Sequence, residues 1–562
     1  MPEPRLDSWK EIAAHLGRSV RTVQRWERHE GLPVRRLQHD KQGSVYAIPA
    51  ELDAWWEERR TRLADEPGDD APAAAARRRS LSWLFGLGAA LLIAGLLGTM
   101  IGRPVTAAPR RLAVLPFANL TGDPEREFLS DGVTEMMIAE LGRRRDLSVI
   151  GRSSVLAYKA APRPASGVRR ELGVDYVLEG SLREAGGALR VAVRLVDARD
   201  DTLLWNETYD RPAGDLLAIE SEVAQRVADE IHLRLPAPPG ERASPEAHVA
   251  YLRGRYHWNR RTADGFREGL AYFREAVTLD PAYARAWCGL ADTYLLMATY
   301  GYGDLTQAEA AARAREAARK ALALDGSLGE AHASMGQVLR SHDWDFAGAE
   351  RSFRRSIELA PSYANARLWL GLMLMNRGQL PEARAVLQAG LDVDPASTTL
   401  AVNLGYCDLY AGRAEEALRR FDSLRQRDRE RPLAGVNLAR ALLVVGRADE
   451  AIRLVEPDRT GAHVAEPHLT ALLAYAYARA GRRADAERMV DALESVSGAA
   501  AFDQSLLAVA RAAIGRDAEA LDALERAVAE RQGSVLTMKM DPELASLRGQ
   551  PRFEALLQKI GL

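Results

Sequence analysis

Arg21, Arg25 and Arg28 recur at i, i+4 and i+7, so one helix would carry three guanidinium groups along a single face, with Thr22 and Gln24 beside them. Guanidinium forks pair with guanine edges or phosphate oxygens, and hydroxyl and amide side chains reach base edges, so the pattern is chemistry for double-stranded DNA. Arg18 precedes the group, while Arg35, Arg36 and Lys41 follow it where phosphate contacts would fall. Between Lys10 and Lys41 eight Lys or Arg stand against four Asp or Glu, in a chain of 562 residues whose formal net charge is −2. Nucleic-acid binding must therefore be local. So small an excess implies weak binding by one copy at physiological salt and a gain from pairing two copies. The same residues would also serve as the solvated face of a protein-binding module.

Other candidates for chemistry are weaker. Asp123, Glu125, Glu127, Asp131 and Glu135 supply carboxylates, but no nucleophile or base is spaced to work with them, and turn and helix-cap duty is the expectation. His463 and His468 flank Glu466, a pair that fits loop polarity better than a metal site. Cys288 and Cys407 are too few for a disulfide framework. There is no glycine-rich phosphate loop, nucleophile elbow or dinucleotide fingerprint. No catalytic residue, cofactor or metal is expected.

The arginine face needs elements to hold it. Ser8 and Glu11 have capping-box spacing, able to satisfy each other's backbone N–H groups at the start of a helix whose apolar face is Trp9, Ile12, Ala13 and Leu16. Gly17 ends that helix and Ser19 can cap the next, in which Val20, Val23 and Trp26 face inward. Pro33 to Ile48 reads as two strands about a turn at Asp40 to Gly43, and an amphipathic helix starts at Pro49. This order resembles the winged helix-turn-helix of the excisionase and MerR-like DNA-binding family. The matching residues are Ile12-Ala13-Ala14, Leu16-Gly17, Ser19 to Trp26, Gly31-Leu32-Pro33 and Ala54-Trp55-Trp56. The resemblance covers about residues 6–60 of an expected domain at 1–62. It implies that the helix from Val20 enters the major groove and that the hairpin reaches phosphate or minor groove.

Leu81 to Ile101 carries no charge. As a helix rising about 1.5 Å per residue it would span roughly 31 Å, the thickness of a bilayer core. A transmembrane helix at 81–101 is expected, between linkers at 63–80 and 102–110. Arg77, Arg78 and Arg79 abut its start, which favours a cytoplasmic N-terminus and an extracytoplasmic remainder, the inner-membrane topology a DNA reader requires. Ala90, Ala94, Gly98 and Gly102 repeat every fourth residue, a stripe that would let two copies pair into a homodimer.

Beyond the span, residues 111–235 alternate strands and helices. Leu189, Val191, Val193 and Leu195 alternate with Arg190, Ala192 and Arg194, as in a half-buried strand. A helix is expected from Asp131 to Leu141 and a meander from Asp175 to Tyr209. The segment resembles the TolB amino-terminal-like domain on Ala113 to Phe117, Asn119, Asp131 to Glu135, Asp175 to Gly180 and Leu195 to Asp197. That family implies an envelope interaction module rather than an enzyme. Leu235 to Pro245 then reads as a linker.

From residue 246 the chain repeats itself. Gly378, Gly412, Gly446, Gly481 and Gly515 are spaced by 34, 34, 35 and 34 residues. Ala383, Ala417, Ala451, Ala486 and Ala520 follow each by five, and Gly371, Gly405, Ala439, Ala474 and Ala508 precede each by seven. Small residues there let antiparallel helices touch, and the period is that of tetratricopeptide (TPR) repeats. Seven to eight repeats are expected over 246–530, with 531–562 as a capping segment containing a helix from Asp541. The resemblance implies a superhelix whose concave groove takes a protein or peptide. Asn403 and Asn437 occupy equivalent first-helix positions, where some family members bind peptide backbone, although the lysines of carboxylate-clamp members are absent and packing roles stay open.

The expected fold class is therefore multidomain: a small winged helix-turn-helix, one transmembrane helix, an α/β TolB-like domain and an all-α TPR superhelix. The order resembles the CadC-like membrane-embedded regulators and implies promoter DNA and an envelope protein as partners. The alternative is a membrane-anchored TPR scaffold whose first domain binds protein.

Overall fold

A computed structural model describes residues 5–37, 44–64, 109–185, 188–212, 215–231, 243–300, 305–427, 435–456, 467–498 and 502–562. They fall into two compact units, Met1–Val105 and Thr106–Leu562. The expected span at 81–101, its stripe of Ala90, Ala94, Gly98 and Gly102, and Lys41 lie outside the described residues. Among the described residues no helix is long and apolar enough to cross a membrane.

In the first unit α1 (Trp9–His15) and α2 (Val20–Glu30) are joined by a turn in which Gly17 adopts φ +61°, a value that suits a residue without Cβ. Two strands follow, β1 (Arg35–Leu37) and β2 (Ser44–Tyr46), paired antiparallel, and α3 (Pro49–Ala64) closes the unit. Ile12, Val23, Trp26, Leu32, Val45 and Leu52 form its core. Trp26 lies against both Trp55 and Trp56, at centroid distances of 5.7 and 5.4 Å.

Two local expectations need correction. The Ser8 hydroxyl accepts from Glu11 N at 3.2 Å, but the Glu11 carboxylate accepts from Asp7 N at 2.9 Å rather than from Ser8, so the box is shifted by one residue. Val20 is 37% exposed, because the first turn of α2 precedes the buried stripe of Val23 and Trp26.

The second unit starts with a sheet in the order β5-β3-β6-β7-β8, with β4 also on β6. Its strands are β3 (Arg110–Val114), β4 (Ala118–Asn119), β5 (Leu147–Val149), β6 (Tyr176–Ala185), β7 (Ala188–Asp197) and β8 (Thr202–Arg211). The early pairings β3–β5, β3–β6 and β4–β6 are parallel, and β6–β7–β8 form the antiparallel meander. The alternation read along β7 holds, with Leu189, Val191, Val193 and Leu195 buried. Among the helices are α4 (Glu127–Gly142), α5 (Arg152–Val155), α6 (Ala157–Ala160), α7 (Ala165–Leu172) and α8 (Leu216–Glu230). α4 begins four residues before the expected Asp131, because Asp123 caps a 3-10 turn, Pro124–Arg126, that leads into it. α5 and α6 are too short to show an apolar period and were not anticipated.

Among the described residues eight helix pairs follow: α9 (Pro245–Trp258) with α10 (Ala263–Leu279), α11 (Ala284–Tyr300) with α12 (Gln307–Leu324), α13 (Gly329–Val338) with α14 (Phe346–Leu359), and α15 (Ala364–Asn376) with α16 (Leu380–Val393). The last four are α17 (Thr398–Tyr410) with α18 (Ala414–Arg427), α19 (Val436–Val444) with α20 (Ala448–Val455), α21 (Pro467–Arg479) with α22 (Arg483–Val496), and α23 (Gln504–Ala513) with α24 (Asp517–Ala529). The five periodic glycines have φ between +74° and +80°, which turns the chain between the helices of a pair. The small residues mark the closest approaches: a Cβ on Gly405 would lie 2.5 Å from the Phe421 ring, and one on Gly371 2.6 Å from Leu387. The tail is not one capping helix. It has two 3-10 turns, Gly533–Thr537 and Pro542–Leu547, before α25 (Pro551–Lys559).

Candidate functional site

In the first unit Arg18, Arg21 and Arg28 are exposed, the latter two on α2, and Gln24 on the same helix is half-buried. Among the described residues neither Arg21 nor Arg28 is held in an ion pair. Thr22 and Arg25 lie on α2 and Arg36 on β1. Arg18 stands over the Trp56 ring, 5.5 Å from its centroid. Arg35 donates to the Glu51 carboxylate at 2.6 Å, so a phosphate would have to compete for it. What the unit offers is a small apolar core carrying a helix with the exposed cations Arg21 and Arg28.

The α/β part and the repeats meet over a long seam. A single apolar core runs from Leu112 in β3 through α4 and α8 into α9, α10 and α11. Around it, Glu135 of α4 accepts from Asn259 at 2.6 Å and pairs with Arg255, and Glu140 accepts from Arg285 at 2.8 Å. Burial works against charge on Glu135, but Arg255 and Arg152 outweigh it and hold the carboxyl below the usual carboxylate range. Farther along, Ser154 N and Oγ donate to Asp394 at 3.0 and 2.6 Å, and Val149 N donates to the Ser362 hydroxyl at 3.0 Å. The sheet domain is thereby docked on the first four helix pairs. The expected linker at 235–245 lies mostly outside the described residues.

The carboxylates read as structural are engaged in this way. Asp123 caps a turn by accepting from Glu125 N at 2.9 Å, Glu127 and Asp131 share Lys159, and Glu135 belongs to the seam.

On the repeats, Asn403 donates to Thr399 O at 2.8 Å within its own helix, and Asn437 accepts from the Tyr406 hydroxyl at 2.7 Å. The face beside them is occupied. Tyr406, Tyr410, Arg440, Val444 and Tyr475, from the first helices of the fifth to seventh pairs, line a small cavity closed by Asp541, Pro542 and Glu543. Arg440 Nε lies 3.4 Å from Glu543 Oε1. Sequence reasoning missed this group, although Tyr406, Arg440 and Tyr475 recur at 34 and 35 residues. His468 starts the helix α21 one residue in, while His463 and Glu466 lie outside the described residues. Among the described residues no cluster could hold a metal ion.

Residues 108–226 match the family described as HilA/YgeH-like transcriptional regulator, second domain. Residues 344–404 and 408–458 match tetratricopeptide repeats. The chain is 32% identical over 242 residues to "Putative adenylate cyclase 3" of Rhizobium meliloti, covering 42% of this chain and 41% of that protein. It is 26% identical over 265 residues to "Transcriptional regulator HilA" of Salmonella typhimurium, covering 45% and 46%. It is 30% identical over 157 residues to "Tol-Pal system protein TolB" of Aromatoleum aromaticum, covering 28% and 36%. The chain thus spans less than half the length of these relatives. The TolB likeness agrees with the strand and helix motifs, and the match to a regulator's second domain was not foreseen from them.

Proposed function

We propose that the chain is a transcriptional regulator: the α2 face binds promoter DNA, and the repeat region takes a protein partner whose state is relayed through the sheet domain. The observation that carries this reading is the match of residues 108–226 to the second domain of HilA/YgeH-like regulators. The exposed Arg21 and Arg28 on a helix following a tight turn supply the chemistry for the DNA end. An excisionase- or MerR-like winged helix-turn-helix is the form proposed for residues 1–62. Leu81 to Ile101 is proposed as a membrane anchor, by its length and lack of charge, with the N-terminus cytoplasmic and the repeats extracytoplasmic. The Ala90–Gly102 stripe would bring two copies together there. No enzymatic activity is assigned; the relative named as a cyclase is matched over less than half its length.

The test is capture of genomic DNA by the full chain, compared with the variant carrying Arg21→Ala and Arg28→Ala. Discrete fragments held by the wild type and lost by the variant are expected. Fragment profiles identical for the two proteins would favour a membrane-anchored scaffold instead. A reporter fused after Leu562 checks the topology, and a cytoplasmic signal there would remove the extracytoplasmic assignment.

A further inference from the structure

Beyond the eighth pair the chain does not leave the repeats but crosses back over them. Arg531 donates to His342 O and stacks over Trp344 at 4.6 Å, beside the third pair. Met540 Sδ reaches the hairpin at Gly378, 3.7 Å from where its Cβ would be. Asp541, Pro542 and Glu543 then lie against Tyr406, Tyr410, Arg440, Val444 and Tyr475. Five successive repeats, the third to the seventh, therefore face one returning segment of the same chain.

The chemistry of that contact is specific. Tyr406, Arg440 and Tyr475 hold the same place in three successive repeats, so the stacking itself builds a row of two phenols and a guanidinium. Asp541 accepts from Glu543 N at 2.9 Å and starts the turn that drives the Glu543 carboxylate inward, where it is only 6% exposed. Burial pushes this carboxyl up, and the Arg440 guanidinium only partly opposes the rise. Yet the fit is incomplete: Arg440 Nε is buried and makes no hydrogen bond, at 3.4 Å from the nearest carboxylate oxygen. A buried pair with an unsatisfied nitrogen contributes little net stability. Arg479, exposed one turn beyond Tyr475, offers a second cation that the segment leaves unpaired among the described residues.

We propose that Asp541-Pro542-Glu543 is a built-in ligand of the repeat groove, and that the site at Arg440 docks an acidic segment of a partner protein, two carboxylates about a proline, which displaces it. Tethering gives the built-in segment a high effective concentration, so the groove is held closed until a partner with better-placed carboxylates competes. This deepens the partner-binding half of the function proposed above. Its test reads peptide binding alone, so its failure leaves the DNA-binding result untouched.

The probe is a labelled synthetic peptide of residues 533–547, titrated into the full chain. The full chain with Asp541→Asn and Glu543→Gln keeps the shapes and the turn cap but removes both charges. It is expected to bind the peptide about ten-fold or more tighter than the wild type does, because the internal competitor is weakened. Adding Arg440→Met to that variant should abolish the gain, and a peptide carrying the same Asn and Gln changes should not bind. Equal binding by wild type and variant, or binding that survives Arg440→Met, overturns the proposal. A second measurement needs no variant: hydrogen exchange over residues 531–547 of the wild type should quicken at saturating peptide, and unchanged exchange overturns displacement.

Discussion

Asp408 is wholly buried, and three arginines converge on it: Arg384 at 3.0 Å from the preceding helix, Arg413 at 2.9 Å from the turn that follows its own helix, and Arg420 at 3.6 Å from the next helix. Asp408→Ala should cost on the order of 2 kcal/mol in urea unfolding, a charged hydrogen-bond loss tempered because the arginines are about a third exposed and rehydrate. Asp292 makes the opposite case. It accepts from the Ser334 hydroxyl at 2.5 Å, and burial raises its pKa to about 6 although Arg255 and Arg261 pull it down. Folding therefore favours the protonated acid. That preference is fully present below about pH 4, is lost as pH rises toward 6, and amounts to about 3 kcal/mol by linkage. Asp292→Asn should be near neutral at pH 4 and stabilising at pH 8; unfolding curves at the two pH values with the same gap would refute the assignment. Neither role was legible in the sequence, where a carboxylate in a helix looks the same whether it faces three arginines or none. Arg21 and Arg28 were legible because spacing alone places them on one face, and exposure needs no knowledge of a distant partner.

Among the elements, the hairpin glycines and the small residues before them separate two kinds of constraint. Gly412 has φ +77° with open space about its Cβ position, so Gly412→Ala should cost about 1 kcal/mol of backbone strain. Gly405 has ordinary backbone but would drive a Cβ into Phe421, so Gly405→Ala should cost roughly 1–3 kcal/mol by overpacking. Pairing Gly405→Ala with Phe421→Leu should recover part of that loss in thermal melts, whereas no smaller ring can rescue Gly412→Ala. These positions could be read from the chain because each repeat obeys the same local geometry. The tail could not, since 3-10 turns have no apolar period and its contacts lie one to five repeats away. The short helices at Arg152–Ala160 were hidden for the first of those reasons.

For the whole molecule, the seam makes the sheet domain and the early repeats one mechanical body. Glu135→Gln would leave the Arg255 guanidinium buried without its counter-charge, a loss on the order of 3 kcal/mol. Hydrogen exchange should then rise in α4 and α9 together; a rise confined to one would show that the two parts unfold separately. The central claim remains that α2 reads DNA. The most direct measurement is the affinity of the full chain for a captured genomic fragment at a series of salt concentrations, with and without Arg21→Ala and Arg28→Ala. Removing both guanidinium groups should weaken binding by about ten-fold or more and flatten the log–log salt slope by about 2. Identical affinity and slope for both proteins would contradict the account.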